Sequence, residues 1–289
     1  MTGRTRLLGI IGSPLTHSVS PEMQNAALAA MGLDLSYVPF PVQEGCLREA
    51  VSGLKALGVR GVNVTLPFKE AVLSLADTLS ETVRKVGAAN TLTFESDGRI
   101  LAENTDTGAF RQAVLQTVGP YWKGRKAVIL GAGGAARAVL CALSLMGLQE
   151  ISLFNRRRDR AEKVLSEFQP HLHGVYCEAF DLERGEALCD EISKADLLVQ
   201  ATSVGMWPDA DACPILDFTC LHDGLSVFDL VYNPEDTRLI KEAKARGLSA
   251  SGGLLMLVFQ GALSLSIWTG CNPPLETMLD AAREAVNRG

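Results

Sequence analysis

The sequence predicts an α/β protein of two domains, and three observations indicate this class. Strand-like apolar runs alternate with helical runs along most of the chain, which is typical of parallel sheets covered by helices. The alternation restarts near residue 107, after an interruption that has the pattern of a β-hairpin. The length of 289 residues is also sufficient for two hydrophobic cores.

The first half predicts three strand-helix units and one hairpin. The runs RLLGIIG, LSYVPFPV and GVNVTL have strand character, and each precedes a helical run: PEMQNAALAAMG, LREAVSGLKALG and KEAVLSLAD, respectively. Two extended runs in ANTLTFESDGRILAEN meet at Ser96, Asp97 and Gly98, which favour a tight turn. We therefore expect a mainly parallel sheet with one local antiparallel pair.

The second half predicts a further series of strands and helices. A helical run, TGAFRQAVLQTVG, leads to the strands AVIL, EISLFN, ADLLVQAT and LSVFDLVYN. The segment SGGLLMLVFQGA then opens a long apolar helix, which we expect to pack back on the first domain. The predicted first domain comprises residues 1–106 and 257–289, and the second comprises residues 107–256.

The composition argues against nucleic-acid and membrane partners. The chain has 33 acidic and 27 basic residues and a formal net charge of -6, whereas nucleic-acid binding normally needs a basic surface. The longest membrane candidate, Leu254 to Trp268, is about 5 residues short of a spanning helix and contains Gln260. We expect neither kind of partner.

The seven cysteines are unevenly spaced, odd in number and form no CxxC pair. This pattern favours free thiols in a reducing compartment over a disulfide framework or a zinc site. The N-terminal apolar run is too short for a signal peptide. We therefore expect a cytoplasmic protein with no metal site.

A glycine-rich loop follows the apolar strand AVIL. Gly131 permits the tight turn, Gly133 lets backbone N–H groups approach a pyrophosphate, and Ala136 takes the third position of the pattern. Gly134 and Ala135 open a helix whose first amides face the anion. Such loops also serve merely as connections, but the strand before and the helix after favour dinucleotide binding in a Rossmann domain.

A cluster of arginines follows the next strand. The strand ends at Asn155, where an NAD-binding domain normally carries an acid. A run from Arg156 to Arg158 and then Arg160 follow, and arginine binds phosphate oxygens through paired hydrogen bonds. A solvated helix start is the alternative, although the helix dipole disfavours cations there. The pattern favours NADP over NAD, with Asp159 as the residue able to serve a free ribose.

Two serines stand before the first predicted helix. Ser20 precedes Pro21 and is fully explained as the N-cap of that helix, whereas Ser18 is needed by no cap. Together the two hydroxyls are able to hold a carboxylate at the helix N-terminus.

The strand VNVTL runs into a lone cation, Lys69. The strand period places Asn63 and Thr65 on one face and Val62 and Val64 on the other. Polar residues at the carboxyl end of a covered parallel strand indicate a ligand crevice. A solvated lysine before a helix is the alternative.

Asp106 lies just after the hairpin that carries Asn90. By spacing alone, Asp106 is a candidate N-cap of the next helix. A lysine with an aspartate nearby can instead hold a substrate hydroxyl and move its proton while a nicotinamide takes the hydride from the same carbon. Lys69 and Asp106 are therefore the candidate catalytic pair.

The chain resembles the shikimate dehydrogenase family over almost its whole length. The matching blocks include PLTHSVSPEMQNAAL, GVNVTLPFKE, VGAANTL, ENTDTGAF, ILGAGGAARAV, ATSVGM, DLVYNP and GLLMLVFQGA. The resemblance implies an N-terminal substrate domain completed by the C-terminal helices, a Rossmann NADP-binding domain and an active site in the cleft between them. It also implies reversible NADPH-dependent reduction of 3-dehydroshikimate to shikimate, a step of chorismate and aromatic amino acid biosynthesis.

The resemblance also assigns individual positions. Lys69 and Asp106 match the catalytic pair. The positions that match substrate contacts are Ser18, Ser20, Thr65, Asn90, Tyr232 and Gln260. The positions assigned to the cofactor are Gly131, Ala132, Gly133, Gly134, Ala135, Asn155, Arg156, Arg157, Arg160, Thr202, Ser203, Leu230, Met256 and Glu81.

Two departures from the family pattern bear on specificity. Arg157 stands where Thr or Ser is usual, as in relatives that accept quinate and either nicotinamide cofactor, and Leu255 replaces a glycine that often precedes Met256. A quinate/shikimate dehydrogenase that uses NAD or NADP is therefore the alternative. A non-catalytic NADP(H)-binding regulatory module on the same fold is a further one. The protein is expected to act on small molecules as a monomer or homodimer.

Overall fold

The computed structural model describes residues 2–119, 126–172, 174–183 and 185–288. The chain divides into two compact units, here called the first and the second unit. The first unit comprises Met1–Ala109 and Val258–Gly289, and the second comprises Phe110–Leu257. The assignment of one unit to the substrate and of the other to the cofactor stays a prediction.

The strands fall into two sheets of six. In chain order their bounds are β1 Arg6–Gly12, β2 Leu35–Pro41, β3 Gly61–Val64, β4 Thr78–Leu79, β5 Thr91–Phe94, β6 Ile100–Glu103, β7 Lys126–Leu130, β8 Glu150–Asn155, β9 Tyr176–Asp181, β10 Leu197–Gln200, β11 Ser226–Asp229 and β12 Ala250–Ser251. The first six strands form one sheet and the last six form the other.

Ten α-helices lie within the described residues. Their bounds are α1 Ser20–Ala30, α2 Leu47–Ala56, α3 Glu81–Val86, α4 Asp106–Thr117, α5 Gly134–Leu145, α6 Arg158–Phe168, α7 Gly185–Ile192, α8 Arg238–Ala245, α9 Leu254–Thr269 and α10 Leu275–Arg288. Short 3₁₀ helices occur at Ala71–Leu75, Gln169–His171 and Phe218–Cys220. In the part of the chain that the structure describes, no helix is both long and apolar enough to cross a membrane.

The sheet of the first unit is mixed. Its strand order is β2-β1-β3-β5-β6-β4. β1 pairs in parallel with β2 and β3, and β4 pairs in parallel with β6. β5 runs antiparallel to both β3 and β6, so the predicted hairpin is confirmed. The hairpin brings the segment that precedes α4 back to the end of β3.

One predicted helix of the first unit is wrong. The run KEAVLSLAD forms only the 3₁₀ helix Ala71–Leu75, because the chain joins the sheet again immediately afterwards. The N–H of Asp77 donates to the carbonyl of Ile100, and β4 begins at Thr78.

The sheet of the second unit is parallel throughout, with the order β12-β11-β10-β7-β8-β9. This is the strand order of a doubly wound dinucleotide-binding fold. The chain leaves β7 in one direction and crosses to β10 in the other, so the strand order reverses between these two strands. Ligands of such sheets bind beyond the carboxyl ends of the strands at this reversal, where the glycine-rich loop of this chain lies.

Candidate active site

Lys69 and Asp106 form a closely shielded ion pair, here called the Lys69–Asp106 pair. Nζ of Lys69 lies 2.7 Å from Oδ2 of Asp106, and the two side chains are 15% and 6% exposed. The carbonyl of Lys69 also accepts the N–H of Ala89 at 2.8 Å, which ties the residue to the start of the hairpin. The alternative of a solvated lysine before a helix is therefore wrong.

The carboxylate of Asp106 does not cap α4. Oδ1 of Asn104 accepts the N–H of Thr107 at 3.2 Å and serves the helix start instead. Both oxygens of Asp106 are engaged elsewhere, since Oδ1 accepts Nδ2 of Asn90 at 2.8 Å and Oδ2 accepts Lys69. Asn104 thus leaves the aspartate available for chemistry.

Asn90 has a single orientation that satisfies its neighbours. Its Oδ1 accepts the backbone N–H of Thr105 at 2.8 Å, so its Nδ2 must face the opposite side. There Nδ2 donates to Oδ1 of Asp106 at 2.8 Å and to Oγ1 of Thr105 at 2.9 Å. Oε1 of Gln260, on α9, also lies 3.4 Å from Nδ2. Three segments that are far apart in the sequence, at Asn90, at Thr105 and Asp106, and at Gln260, therefore meet at one point of the first unit.

The two serines lie at the N-terminus of α1, but Ser20 is not its cap. Helical hydrogen bonding starts one residue earlier, because the N–H of Met23 donates to the carbonyl of Val19 at 3.1 Å. Ser20 is 5% exposed, and its N–H donates to Oγ of Ser18 at 3.4 Å. Among the described residues the Ser20 hydroxyl has no hydrogen-bond partner. Both hydroxyl protons are therefore able to serve an anion at this helix end.

The two polar residues of β3 and its end separate into different environments. Asn63 is 5% exposed and points into the first unit, where its Oδ1 accepts the hydroxyl of Tyr37 at 2.8 Å. The prediction that Asn63 lines a crevice is therefore wrong. Thr65 is half-buried just beyond the strand, and its hydroxyl has no partner in the described part of the chain. Of these two residues, Thr65 is therefore the one whose side-chain polar group can reach a ligand.

The glycine-rich loop has the geometry of an anion site. Gly131 has a φ of +110°, and a Cβ there would lie 2.9 Å from the carbonyl oxygen of Ala201, so only glycine fits. A Cβ at Gly133 would meet nothing within 4 Å, which leaves space above the loop. α5 starts at Gly134 and points its first N–H groups into that space. The loop therefore fits a pyrophosphate.

The arginines beside the loop differ in the groups that their guanidinium contacts. Nε of Arg160 donates to the carbonyl of Ala132 at 3.1 Å and holds this guanidinium against the glycine-rich loop. Arg157 pairs with Asp159 at 2.9 Å, so each side chain neutralises the other. Within the described residues the exposed Arg156 has no ion pair. The exposed Arg156 is therefore able to hold an added phosphate, and Arg160 is held beside the loop where that phosphate is expected. The pairing of Asp159 makes it a poor ribose acceptor.

Asn155 and Arg158 support the same segment. Nδ2 of Asn155 donates to the carbonyl of Arg157 at 2.9 Å and fixes the turn between β8 and α6. Arg158 pairs with Glu162 in the next helical turn at 2.9 Å. Arg158 is thus occupied on the helix surface.

The loop after β10 is shaped by Gln200. Its Oε1 accepts the N–H of Thr202 at 2.8 Å, and its Nε2 donates to the carbonyl of Val204 at 2.9 Å. These bonds curl the chain back at Thr202 and Ser203, beside the glycine-rich loop. A Cβ at Gly131 would in fact lie 3.1 Å from Cγ2 of Thr202.

The loop after β11 is fixed by Asp229. Its carboxylate accepts the N–H of Val231 at 2.9 Å and the hydroxyl of Thr237 at 2.7 Å, and burial raises the pKa of Asp229 to about 7. Burial also raises the pKa of Tyr232 to about 12, so this phenol keeps its proton at neutral pH. The loop presents Leu230 and Tyr232 from the second unit.

Close backbone packing positions Met256. A Cβ at Gly253 would lie 2.2 Å from the carbonyl oxygen of Leu230, so glycine is required where α9 begins. Met256, three residues later, is 6% exposed. Glu81 is the remaining predicted cofactor residue; it is 82% exposed and pairs with Lys85 at 2.6 Å. A cofactor contact of Glu81 stays a prediction.

Sequence reasoning missed the buried hydroxyl groups behind Asn90. Thr91 and Ser264 are 0% exposed, and their oxygens lie 2.8 Å apart. Ser264 stands one helical turn after Gln260 in a mostly apolar segment. The spacing of four residues places the side chains of Gln260 and Ser264 on one face of α9. This spacing was the signal in the sequence that could have predicted the role of Ser264.

Comparison with known proteins identifies relatives along the whole chain. Three family models match: "Shikimate dehydrogenase substrate binding domain" at residues 10–92, "Shikimate / quinate 5-dehydrogenase" at residues 113–206, and "Shikimate 5'-dehydrogenase C-terminal domain" at residues 253–283. A shikimate dehydrogenase (NADP(+)) of Methanothermobacter thermautotrophicus is 41% identical over 100% of this chain and 99% of its own length.

Two solved structures bear on ligand choice. Shikimate 5-dehydrogenase from Thermus thermophilus, in complex with NADP(H) and shikimate, is 38% identical with a TM-score of 0.83, over 97% of this chain and 99% of its own. Quinate dehydrogenase from Corynebacterium glutamicum, in complex with NAD, is 30% identical with a TM-score of 0.87. The match covers 96% of this chain and 98% of the quinate dehydrogenase chain. Both cofactor types thus occur among the structural relatives.

Proposed function

The chain belongs to the shikimate dehydrogenase family, and we propose that it catalyses the reversible NADPH-dependent reduction of 3-dehydroshikimate to shikimate. The observation that carries this proposal is the Lys69–Asp106 pair, at 2.7 Å and largely shielded from water. Shielding strengthens electrostatic interactions and fixes the geometry that proton transfer requires. The reaction is a step of chorismate and aromatic amino acid biosynthesis.

Lys69 is the proton-transferring group in this proposal. When bound, NADPH supplies the hydride that reduces the carbonyl carbon. The Lys69 ammonium gives a proton to the carbonyl oxygen as the hydroxyl forms, and the neutral amine takes it back in the oxidative direction. Asp106 holds the ammonium in place and accepts a hydrogen bond from the substrate hydroxyl. Asn90 in turn donates a hydrogen bond to Asp106 and keeps it in position.

The remaining residues of the first unit bind the substrate. Ser18 and Ser20 offer two hydroxyl donors at the N-terminus of α1, a combination that suits the substrate carboxylate. Asn90 and Gln260 suit the ring hydroxyls because they have polar groups beside the Lys69–Asp106 pair, and Thr65 does so because its hydroxyl lies just beyond β3, in the segment that leads to Lys69. Tyr232 is the remaining position proposed to contact the substrate.

The second unit binds the dinucleotide in this proposal. Gly131 to Ala135 provide the pyrophosphate loop, and Asn155, Arg156 and Arg160 hold the 2′-phosphate. The contacts proposed for the rest of the cofactor come from Thr202, Ser203, Leu230 and Met256. Arg157 contributes less than its neighbours because Asp159 already neutralises it.

We test the proposed activity by incubating the protein with shikimate and NADP⁺ and following the absorbance of the reduced cofactor. Turnover is expected near neutral pH, with NADP⁺ preferred over NAD⁺. Absence of turnover between about pH 6 and 10 contradicts the proposal. The similarity to a quinate dehydrogenase bound to NAD supports the alternative substrate, so quinate and NAD⁺ are assayed in parallel. A higher kcat/KM for quinate would favour a quinate/shikimate dehydrogenase.

Replacing Arg156 with alanine is expected to raise the KM for NADP⁺ by about 10- to 100-fold and to change the KM for NAD⁺ by less than about twofold. The variant loses a charge-assisted hydrogen bond to the 2′-phosphate of NADP⁺. It loses no such bond to NAD⁺, because NAD⁺ lacks this phosphate. Arg158→Ala is the matched control, since Arg158 is occupied by Glu162. Equal effects of Arg156→Ala on both cofactors would place this arginine on a merely solvated surface.

We further propose a cytoplasmic location and a monomeric or homodimeric state. The cysteines at all seven positions are free thiols in the structure, which suits a reducing compartment.

A further inference from the structure

A chain of buried hydrogen bonds leads from the core of the first unit to the Lys69–Asp106 pair. Its five members are no more than 5% exposed, and only the last of them touches the pair: Tyr37, Asn63, Ser264, Thr91 and Asn90. Buried polar groups are costly unless each donor and acceptor has a partner. The direction of every hydrogen bond in this chain therefore has structural consequences.

The orientation of Asn63 is fixed by a backbone acceptor. Its Nδ2 lies 3.1 Å from the carbonyl oxygen of Asn90, which can only accept, so Oδ1 must face Tyr37. The phenol then donates to Oδ1 at 2.8 Å, and burial raises the pKa of Tyr37 well above its ordinary value. The second proton of Nδ2 points to Oγ of Ser264 at 2.9 Å. Ser264 is therefore an acceptor from Asn63.

Thr91 joins this arrangement to Asn90. Asn63 and Thr91 are direct partners across β3 and β5. Oγ1 of Thr91 lies 2.8 Å from Oγ of Ser264 and 3.0 Å from Oδ1 of Asn90, which is an acceptor. The hydroxyl has one proton. Donation to Asn90 leaves Thr91 Oγ1 to accept the proton of Ser264, whose other acceptor is the carbonyl of Gln260 at 2.9 Å.

The carboxamide of Asn90 is consequently held by two donors. The N–H of Thr105 and the hydroxyl of Thr91 both donate to its Oδ1, at 2.8 and 3.0 Å. With Oδ1 held in this way, Nδ2 is aimed at Oδ1 of Asp106 at 2.8 Å. Hydrogen bonds that follow one another in a single direction polarise each other, so donation by Thr91 strengthens the donation to Asp106.

We propose that Thr91 is a positioning residue whose hydroxyl holds the Asn90 carboxamide in the orientation that secures the Asp106 carboxylate. Thr91 is 0% exposed and thus touches neither substrate nor cofactor. Of the three side chains that its hydroxyl contacts, Asn63, Ser264 and Asn90, only Asn90 is itself bonded to Asp106. The inference rests on the proposed function, because the reaction is what reports the position of Asp106.

The test compares Thr91→Val, which removes the hydroxyl and keeps the side-chain shape, with Thr91→Ser, which keeps the hydroxyl. Thr91→Val is expected to lower kcat by about 5- to 30-fold, because the Asn90 oxygen loses one of the buried hydrogen bonds that orient it. The KM for NADP⁺ is expected to stay within about twofold. Thr91→Ser is expected to restore kcat to within about threefold of the wild type.

Thr93→Val is the matched control. Thr93 lies two residues further along β5 on the same face and is 3% exposed. In the part of the chain that the structure describes, its hydroxyl has no hydrogen-bond partner. The same substitution there is expected to leave kcat unchanged. An equal effect of both valine variants, or a kcat that serine does not restore, overturns the proposal.

A second readout separates this inference from the proposed function. The side-chain amide protons of Asn90 are followed by NMR, without substrate or cofactor. Their exchange with water is expected to be at least about tenfold faster in Thr91→Val than in the wild type or Thr93→Val, because one of the hydrogen bonds that restrain the carboxamide is lost. An inactive wild type contradicts the proposed function, and unchanged exchange in Thr91→Val contradicts the role of Thr91.

Discussion

Lys69→Ala is expected to lower kcat for shikimate oxidation by about 10²- to 10⁴-fold, the contribution of a positioned acid-base group. Dissociation constants for shikimate and NADP⁺, measured by calorimetry, are expected to change by less than about fivefold. The reason is that Lys69 acts chiefly where the proton moves, whereas the serines and the glycine-rich loop bind the two ligands. A loss in kcat without a loss in binding marks an interaction made in the transition state.

The control for this variant is Lys55→Ala, which removes an exposed lysine at the end of α2. Its kcat is expected to equal that of the wild type. An unaffected rate in Lys69→Ala would exclude this lysine as the proton-transferring group. Binding of both ligands without turnover in the wild type would instead favour the non-catalytic module that uses the same fold.

Features that depend on neighbouring residues were predictable from the sequence. The glycine-rich loop needs Gly131 because its φ is +110°, and the requirement is visible as a glycine between a strand and a helix. Asp97 and Gly98, at the turn, predict the hairpin that β5 and β6 form. In both cases the residues that decide the structure lie within a few positions of one another.

Features that depend on contacts across the first unit were not predictable. Ser20 has the sequence of an N-cap, and only the backbone of Val19 shows that the helix starts earlier. Asn63 alternates with valines as a ligand residue would, yet it faces Tyr37, 26 residues earlier in the chain. Ser264 reaches Thr91 across 173 residues. Spacing in the sequence contains no information about partners at such separations.

Asp106 shows how local and distant information combine. Its position at the start of α4 predicts a cap, but Asn104 takes that role two residues earlier. The carboxylate is then available to pair with Lys69, a pairing that the sequence suggests through the chemistry of the two residue types and through the family resemblance. The substrate and cofactor contacts of the other residues stay predictions, because each of these contacts is made to a ligand.

Asp106→Asn is expected to lower kcat by about 10²- to 10³-fold at nearly unchanged side-chain shape. The amide retains an oxygen for Nδ2 of Asn90, but its NH₂ group faces the Lys69 ammonium in place of the oxygen now 2.7 Å from Nζ. The ammonium loses its anion and its fixed position. Asp97→Asn is the matched control, because Asp97 also pairs with a cation at 2.7 Å, Arg99, but on the exposed hairpin turn. Its kcat is expected to stay at the wild-type value.

The double variant Lys69→Ala/Asp106→Asn decides whether the pair acts as a unit. Residues that cooperate in one step give losses that do not multiply, because removing either one already abolishes the shared function. We expect kcat of the double variant to lie within about threefold of the slower single variant. A loss equal to the product of the two single losses would mean that Asp106 acts on the substrate independently of Lys69. In that case the 2.7 Å contact would matter for structure but not for proton transfer.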